Sequence, residues 1–479
     1  MSLAAAAAVV GGAVPASFGE RAFERVTTDS RSIRPRDLFV ALKGERFDGH
    51  DFVAAALRKG AAGALVDVGR AEAPGQRLIE VGAEVGPVVS KDVSSEVAPC
   101  IAVRDTRLAL GQLARSWRAR FTLPLIAVAG SNGKTTVTQM IASILRAHAG
   151  AAAFHTEGNF NNDIGLPLTL LRLCAAHRVG VIELGMNHRG EIAYLAGIAR
   201  PTIALVNNAQ REHQEFLQSV ADVAAENASL YDFLAHDGIA IVNADDDYAQ
   251  FFVDRAGGRR VVTFGMRNRA DVRVSVDEAT FGSRITVQTP LGAFETMLRI
   301  AGRHNALNAA AAVAASIAAD IPLPEIERGL QAFTPVAGRL VKTLLESGAV
   351  VLDDTYNANP DSVRAAIDVL HGIAGRRVLV LGPMAEVGDH GAAFHREVGA
   401  YAKECGIEVL LTVGADTQPT IDAFGHAGTR LPDIDALIAV ARDAAASGST
   451  LLVKGSRSAR MERVVRALTG QPLAAEGAH

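Results

Sequence analysis

The sequence predicts an α/β protein of three domains: a small mixed α/β N-terminal domain, a central P-loop domain with a mostly parallel sheet, and a C-terminal doubly wound, Rossmann-like domain. Three observations predict it. A chain of 479 residues is too long for one hydrophobic core. Short apolar runs alternate with helix-length amphipathic stretches along its whole length. One apolar run, Leu123 to Val128, leads into Gly130-Ser-Asn-Gly-Lys-Thr-Thr136 and then into Val137 to His148, which has helical periodicity and neither Pro nor Gly. We expect the domains at residues 1–103, 104–337 and 338–479.

Taken in order, Ala4 to Val10 is an apolar run that Gly11-Gly12 ends like a helix C-cap; it is short and lacks the basic flank of a signal peptide. Asp37 to Leu42 and Gly63 to Asp67 read as strands, with an amphipathic helix from Phe52 to Lys59 between them. Thr28-Asp-Ser-Arg31 and the polar stretch Lys43 to His50 flank the first of these strands. They supply either ordinary turns or a seat for a diphosphate or sugar. Gly82 to Pro99 reads as a loop insertion, and Arg107 to Arg120 as a helix. In the central domain the strands are Val179 to Leu184, Thr202 to Val206 and Gly238 to Val242, with a helix from Val220 to Leu234. Asp271 to Leu298 alternates like an antiparallel ribbon, and Asn305 to Ala319 is a long Ala-rich helix. Beyond a hinge at Thr334 to Gly338, the strands are Val350 to Asp353, Arg377 to Leu381, Val409 to Val413 and Leu451 to Lys454.

Composition narrows the function. Apolar residues at 49% and charged residues at 21% are ordinary for a soluble globular protein, and a net charge of −4 offers no footprint for nucleic acid. Cys100, Cys174 and Cys405 lie far apart without metal-ligand spacing, so a reduced, cytoplasmic setting is expected. No run is long and apolar enough to insert in a membrane as a helix.

The strand, glycine turn and helix around residue 130 make a phosphate cradle. Gly130 and Gly133 let the backbone approach an anion, Lys134 reaches the outer phosphates, and the Thr135 hydroxyl suits Mg²⁺. The longer form of this motif would place a Gly where Val128 stands, so the shorter stretch carries the reading. The alternative is a glycine-rich turn that binds nothing. Glu183 ends an apolar strand at the carboxyl edge of the sheet, where it would take Mg²⁺ jointly with Thr135 or else face solvent. Asn207-Asn208 ends the next strand, and His213 follows in a loop that also carries Glu212 and Glu215. Glu226 lies on the following helix and is a metal ligand or a solvated side chain.

These residues carry a family resemblance. The phosphate loop, Glu157 to Pro167, Ile182 to His188, Gly302-Arg-His-Asn-Ala-Leu-Asn308, Asp353-Asp-Thr-Tyr-Asn-Ala-Asn-Pro360 and Lys454-Gly-Ser-Arg-Ser458 resemble the Mur ligases of peptidoglycan synthesis, in the family's order and across all three domains. The Asn-Asn-Asp-Ile-Gly, Tyr-Asn-Ala-Asn-Pro and Lys-Gly-Ser-Arg-Ser stretches point within that family to the member that adds D-alanyl-D-alanine to UDP-N-acetylmuramoyl-tripeptide. The resemblance implies a first domain for the UDP-sugar-peptide, a central one for ATP and a last one for the amine. It implies that Gly130, Ser131, Asn132, Gly133, Lys134, Thr135 and Thr136 bind nucleotide phosphates, with Asn305 at adenine, Asp354 at ribose and Arg339 approaching the phosphates. Ser30 and Arg31 would sit near the uridine diphosphate, Asn159 and Asn162 along the sugar-peptide, and Tyr356 and Asn357 would touch substrate. Lys134, Glu183 and His213 would be catalytic. Thr135, Glu183, His213 and Glu226 would hold two Mg²⁺ ions, Glu226 standing where relatives use a carbamylated lysine. A monomer is expected. The rival readings are another amide ligase of this superfamily, adding the third peptide residue or glutamate to folate, and a non-catalytic ATP-binding switch.

Overall fold

The apolar runs fold into three sheets, in a computed structural model that describes residues 1–45, 47–71, 98–279 and 281–471. The first sheet sets β1 (Arg25–Thr27), β2 (Asp37–Val40), β3 (Gly63–Asp67) and β4 (Cys100–Val103) side by side in chain order, all parallel. The second contains β5 (Leu125–Ala129), β6 (Ala153–His155), β7 (Val179–Glu183), β8 (Ile203–Val206), β9 (Ile239–Asn243), β10 (Arg260–Gly265), β11 (Val272–Ala279), β12 (Gly282–Thr289) and β13 (Gly292–Leu298). Its order is β13-β12-β11-β10-β9-β8-β5-β7-β6. The third contains β14 (Val341–Leu344), β15 (Val350–Asp354), β16 (Arg376–Leu381), β17 (Val409–Val413), β18 (Gly428–Leu431) and β19 (Ser449–Lys454), in the order β14-β15-β19-β16-β17-β18.

Every residue of β5, β7 and β8 is buried. A parallel strand covered by helices on both faces has no wet side, so its sequence is apolar throughout instead of alternating. By contrast β13, at the edge, alternates exposed and buried residues, as an antiparallel ribbon with one wet face must. The ribbon β11–β13 joins the main sheet through a parallel pairing of β11 with β10. The helices Lys134–Ala149 and Arg303–Ala318 share one core with β5, β7 and β8. The Ala-rich face of the second lets backbones pack closely, and each large aliphatic side chain buried there contributes about 1.5–3 kcal/mol.

By compactness the described chain falls into two units. One comprises residues 1–123, 155–177 and 194–200 and holds the first sheet. Within it the sole tryptophan ties its helix to a distant segment: Trp117 Nε1 donates to Leu173 O at 3.0 Å. Arg118 is buried but matched, donating to Ala199 O at 3.0 Å and Phe121 O at 2.5 Å. The N-terminal apolar run is the helix Leu3–Val10, capped by Gly11 at φ 61°. The other unit holds the second and third sheets.

Two expectations change. The helix expected over Val220 to Leu234 ends at Ala228 and tightens into a 3-10 turn, Ser229–Phe233. Ser229 Oγ donates to Glu226 O at 2.6 Å, and the buried Tyr231 hydroxyl donates to Ile241 O at 2.9 Å, which pulls that turn onto β9. The helix expected from Val137 begins at Lys134, directly out of the glycine turn. The expected loop insertion Gly82 to Pro99 lies outside the described residues, except Ala98 and Pro99.

The helix Gly391–Glu404 carries a buried imidazole with a fixed tautomer. His395 Nε2 accepts from the Met384 amide at 3.3 Å, so Nδ1 carries the proton and donates to Thr420 Oγ1 at 2.8 Å. Burial pushes its pKa down from 6.5 to about 4. The unfolded chain therefore takes up this proton more readily than the folded one. The stability owed to His395 is full above pH 6.5 and is lost as the pH falls towards 4, by up to about 3 kcal/mol. Thermal unfolding of a His395→Asn variant is expected to depend less on pH over that interval than wild type; identical slopes would remove His395 as the cause.

Candidate active site

The phosphate loop is shaped by two glycines. Gly130 has φ 124° and Gly133 has φ 83°. A Cβ at Gly130 would meet the Asn207 amide nitrogen at 2.9 Å, and one at Gly133 would meet Asn308 Oδ1 at 2.5 Å. Both positions thus require a residue that accepts positive φ and has no side chain. The helix Lys134–Ala149 starts at once, with no side-chain cap and no acidic residue in its first turn. Its leading N–H groups and positive end are left for an anion.

Asparagines hold this loop in shape. The Gly130 amide donates to Asn227 Oδ1 and the Asn132 amide to Asn208 Oδ1, each at 2.8 Å. Asn207 and Asn208 return amide N–H groups to Asn132 O at 2.8 and 3.0 Å. The Asn132 side chain donates to Gln210 Oε1 at 2.6 Å and accepts from Asn359 Nδ2 at 2.9 Å. Asn359 belongs to the segment after β15, where it also caps the helix Pro360–His371.

Charged groups converge on the same turn. Thr135 Oγ1 donates to Glu183 Oε1 at 3.2 Å and accepts from Arg339 Nη2 at 3.0 Å. The Arg339 guanidinium stacks over the Tyr356 ring at 4.2 Å. The Lys134 ammonium donates to Gly130 O at 2.5 Å and Ser131 O at 3.0 Å, and lies 3.3 Å from Glu212 Oε2. Beside them is a cavity of about 410 Å³ whose wall includes Asn132, Gly133, Thr136, Asn305, Arg339 and Asp354. Lys454, almost fully buried, donates to Asp354 Oδ2 at 2.6 Å and Asn357 O at 2.9 Å, so the carboxylate at this wall is held in place by a matched charge. Asn305 is fixed by donation to Ala301 O at 2.8 Å.

A second cavity, of about 1050 Å³, has Glu215, Met384, Glu386, Asp389 and Asp416 in its wall. His213 Nδ1 is 2.6 Å from Glu386 Oε2, and this contact holds the Glu386 carboxyl below its usual range. Both partners have left-handed backbone, His213 at φ 48° and Glu386 at φ 60°, uncommon for side chains of their size and a mark of local strain. Arg211, two residues before His213, pairs with Asp361 at 2.5 Å and with Glu397 at 2.7 Å. It ties the loop after β8 to the helices Pro360–His371 and Gly391–Glu404, a role nothing in the local sequence signals.

Of the residues expected at a nucleotide, Asn132, Gly133, Thr136, Asn305, Arg339 and Asp354 line one cavity. Glu226 is different. Its two carboxylate oxygens accept the backbone amides of Gly190 and Ile192, each at 2.9 Å, at the start of the helix Glu191–Ala199. Successive helical residues point about 100° apart, so the next residue, Asn227, reaches the phosphate loop instead. Asn357 turns its carbonyl to Lys454 and its Oδ1 to the Ala358 amide at 2.8 Å. Ser30, Arg31, Asn159 and Asn162 belong to the other compact unit. There Ser30 O accepts from Lys59 Nζ at 2.8 Å, Arg31 pairs with Asp29 at 2.9 Å, and Asn162 Oδ1 accepts the Gly165 amide at 2.8 Å.

Comparison with known proteins decides the family. Residues 22–118 match the profile described as Mur ligase family, catalytic domain; residues 128–316 the Mur ligase middle domain; and residues 338–457 the Mur ligase, glutamate ligase domain. The UDP-N-acetylmuramoyl-tripeptide--D-alanyl-D-alanine ligase of Escherichia coli (strain K12) is 41% identical over 449 residues, covering 93% of each chain. The chain belongs to the Mur ligase family. The ligase of the same name from Haemophilus influenzae is 36% identical to this Mur ligase, again over 93% of each chain. A crystal structure of MurF from Acinetobacter baumannii superposes with a TM-score of 0.86 at 30% identity, over 98% of both chains.

Two substitutions test the site's construction. Gly133→Ala is expected to cost about 1–3 kcal/mol through the strained φ and the clash with Asn308, and to weaken nucleotide binding in calorimetry. Glu226→Gln is expected to lower the unfolding midpoint through the lost charge-assisted bonds to residues 190–192, with the Mg²⁺ dependence of turnover unchanged. A shifted Mg²⁺ dependence would return Glu226 to the metal site.

Proposed function

We propose that this chain is an ATP-dependent amide ligase of peptidoglycan-precursor synthesis. It joins D-alanyl-D-alanine to the C-terminal carboxylate of UDP-N-acetylmuramoyl-tripeptide through an acyl phosphate, releasing ADP and phosphate. One observation carries the reading: Lys134, Thr135 and Arg339 converge at an uncapped helix start, in a chain whose relatives of that name match over 93% of its length.

A carboxylate resists an amine because oxide would have to leave. Attack of the carboxylate oxygen on the terminal phosphorus of ATP expels ADP and makes phosphate the leaving group instead. Lys134, Arg339 and the helix end neutralise charge on the transferring group, and the preset loop holds it in line. The amine nitrogen then attacks the acyl carbon, the bond to phosphate breaks, and the nitrogen gives up a proton. Of the acceptors in the chain, Asp353 is bound to the Thr355 hydroxyl at 2.6 Å and Asp354 is paired with Lys454. Burial lowers the pKa of His304 and raises that of Asp353. His213 Nδ1 is engaged by Glu386 beside the larger cavity, and the carboxylates of that cavity suit the ammonium end of a dipeptide.

Magnesium fits the residues present. A hydroxyl and a buried carboxylate, Thr135 and Glu183, are hard oxygen donors in contact, and buried oxygens of Asn207 and Glu212 have no hydrogen-bond partner among the described residues. Thr135, Glu183 and His213 would hold it, as two ions. When bound it supplies positive charge to the phosphoryl group in transfer. We assign residues 1–103 to the UDP-sugar-peptide, 104–337 to ATP and 338–479 to the amine, and place a monomeric enzyme in the cytoplasm; no described helix is long and apolar enough to cross a membrane.

Phosphate release with UDP-muramoyl-tripeptide and each amine in turn tests the reading. D-Alanyl-D-alanine is expected to support turnover, whereas a diamino acid or glutamate with its own acceptor is not. Lys134→Ala is expected to cut turnover by at least about 10³-fold while the fold persists; near-normal rates in that variant would falsify its role.

A further inference from the structure

Glu212 is buried beside the phosphate loop, and half of its carboxylate is unmatched. The side chain is 6% exposed, with Oε2 3.3 Å from the Lys134 ammonium and 3.8 Å from His213 Nε2. Oε1 is buried and has no hydrogen-bond partner among the described residues. Removing a carboxylate oxygen from water without a partner is costly, and more so for an ion than for a neutral group. Its present counter-ion is also the side chain that a nucleotide needs. Lys134 is held by Gly130 O, Ser131 O and Glu212, all close to the start of the helix where an anion would sit.

The geometry points to Glu212 as a carboxylate with two alternative partners: the Lys134 ammonium, and a magnesium ion of the nucleotide site when phosphates draw Lys134 away. This rests on the nucleotide reading above. A polyphosphate carries more negative charge than one carboxylate and takes the ammonium. Glu212 is then left with both oxygens buried and a like-charged neighbour. A divalent cation relieves both, because it binds hard oxygens and stands between two sets of negative charge. Thr135, Glu183 and His213 would be the chain's other groups toward the two ions. Glu212 therefore hinders a metal-free nucleotide, by holding Lys134 and by repulsion, and favours a nucleotide that arrives with metal.

The opposed signs give the test. Calorimetry of ADP with the full chain is run in chelator and in excess Mg²⁺, for wild type, Glu212→Gln and Glu212→Asp. Mn²⁺ binding to the ADP complex is followed by paramagnetic resonance. Glu212→Gln is expected to tighten metal-free ADP and to weaken Mn²⁺, each by about tenfold, the scale of one charge-assisted contact. Glu212→Asp keeps the charge and is expected to retain most of the metal affinity, which also covers the case in which the Gln variant does not fold. If Glu212→Gln shifts ADP affinity equally with and without metal, or leaves Mn²⁺ affinity unchanged, Glu212 is only a packing residue and the inference is overturned. Wild-type chain that bound no ADP under either condition would overturn the nucleotide reading itself, and this inference with it.

Discussion

The structure around the phosphate loop is governed by charge balance in a place from which water is largely excluded. A helix start, a lysine and an arginine all present positive charge there. Left alone, such a cluster would repel itself and lose hydration. Glu183 through Thr135, and Glu212 through Lys134, supply the balancing charge inside the protein. The same balance makes the site responsive, since an incoming polyphosphate must compete with these internal partners. Ion pairs this buried contribute little net stability when intact, but removing one member leaves the other exposed to the full desolvation penalty.

The second requirement is that backbone N–H groups point at the anion before it arrives. Asparagine meets it, because one short side chain offers both a donor and an acceptor to a turn. Asn207 and Asn208, just past β8, and Asn227, on the helix Val220–Ala228, pin the loop, Asn308 in turn accepts from Asn207, and Asn359 pins the loop from the segment after β15. Together with Arg211 on Asp361 and Arg339 on Thr135, Asn359 ties segments around the third sheet to the phosphate loop and its neighbours. A loop supported from two sheets has less freedom to lose on binding, which is the physical content of preorganisation.

Much of the fold was legible. Strands buried on both faces leave apolar runs, glycine turns break them, and helix periodicity fills the gaps, so the edges of β5, β7 and β9 were readable to within a residue or two. Lys134, Thr135, Asn305, Arg339 and Asp354 could be named as candidates because they stand in local stretches of distinctive sequence, and the structure brings them to neighbouring positions. Glu226 shows the limit. Nothing local in the helix Val220–Ala228 signals that the Glu226 oxygens accept the amides of Gly190 and Ile192. The salt bridges of Arg211 were illegible for another reason: their partners lie 150 and 186 positions further along the chain.

The amino-acid sequence by itself determined the local chemistry: a turn that only glycine can make at residues 130 and 133, a helix behind it, and acids at strand ends. Backbone sterics and side-chain pattern act over a few residues, and those are written in order along the chain. Tertiary structure alone decided which partners those groups meet. It joined residues 155–177 and 194–200 to the first 123 in one compact unit, set Asn359 against Asn132, and left one oxygen of Glu212 without a match. Such pairings depend on how distant segments pack, and packing is a property of the whole folded chain.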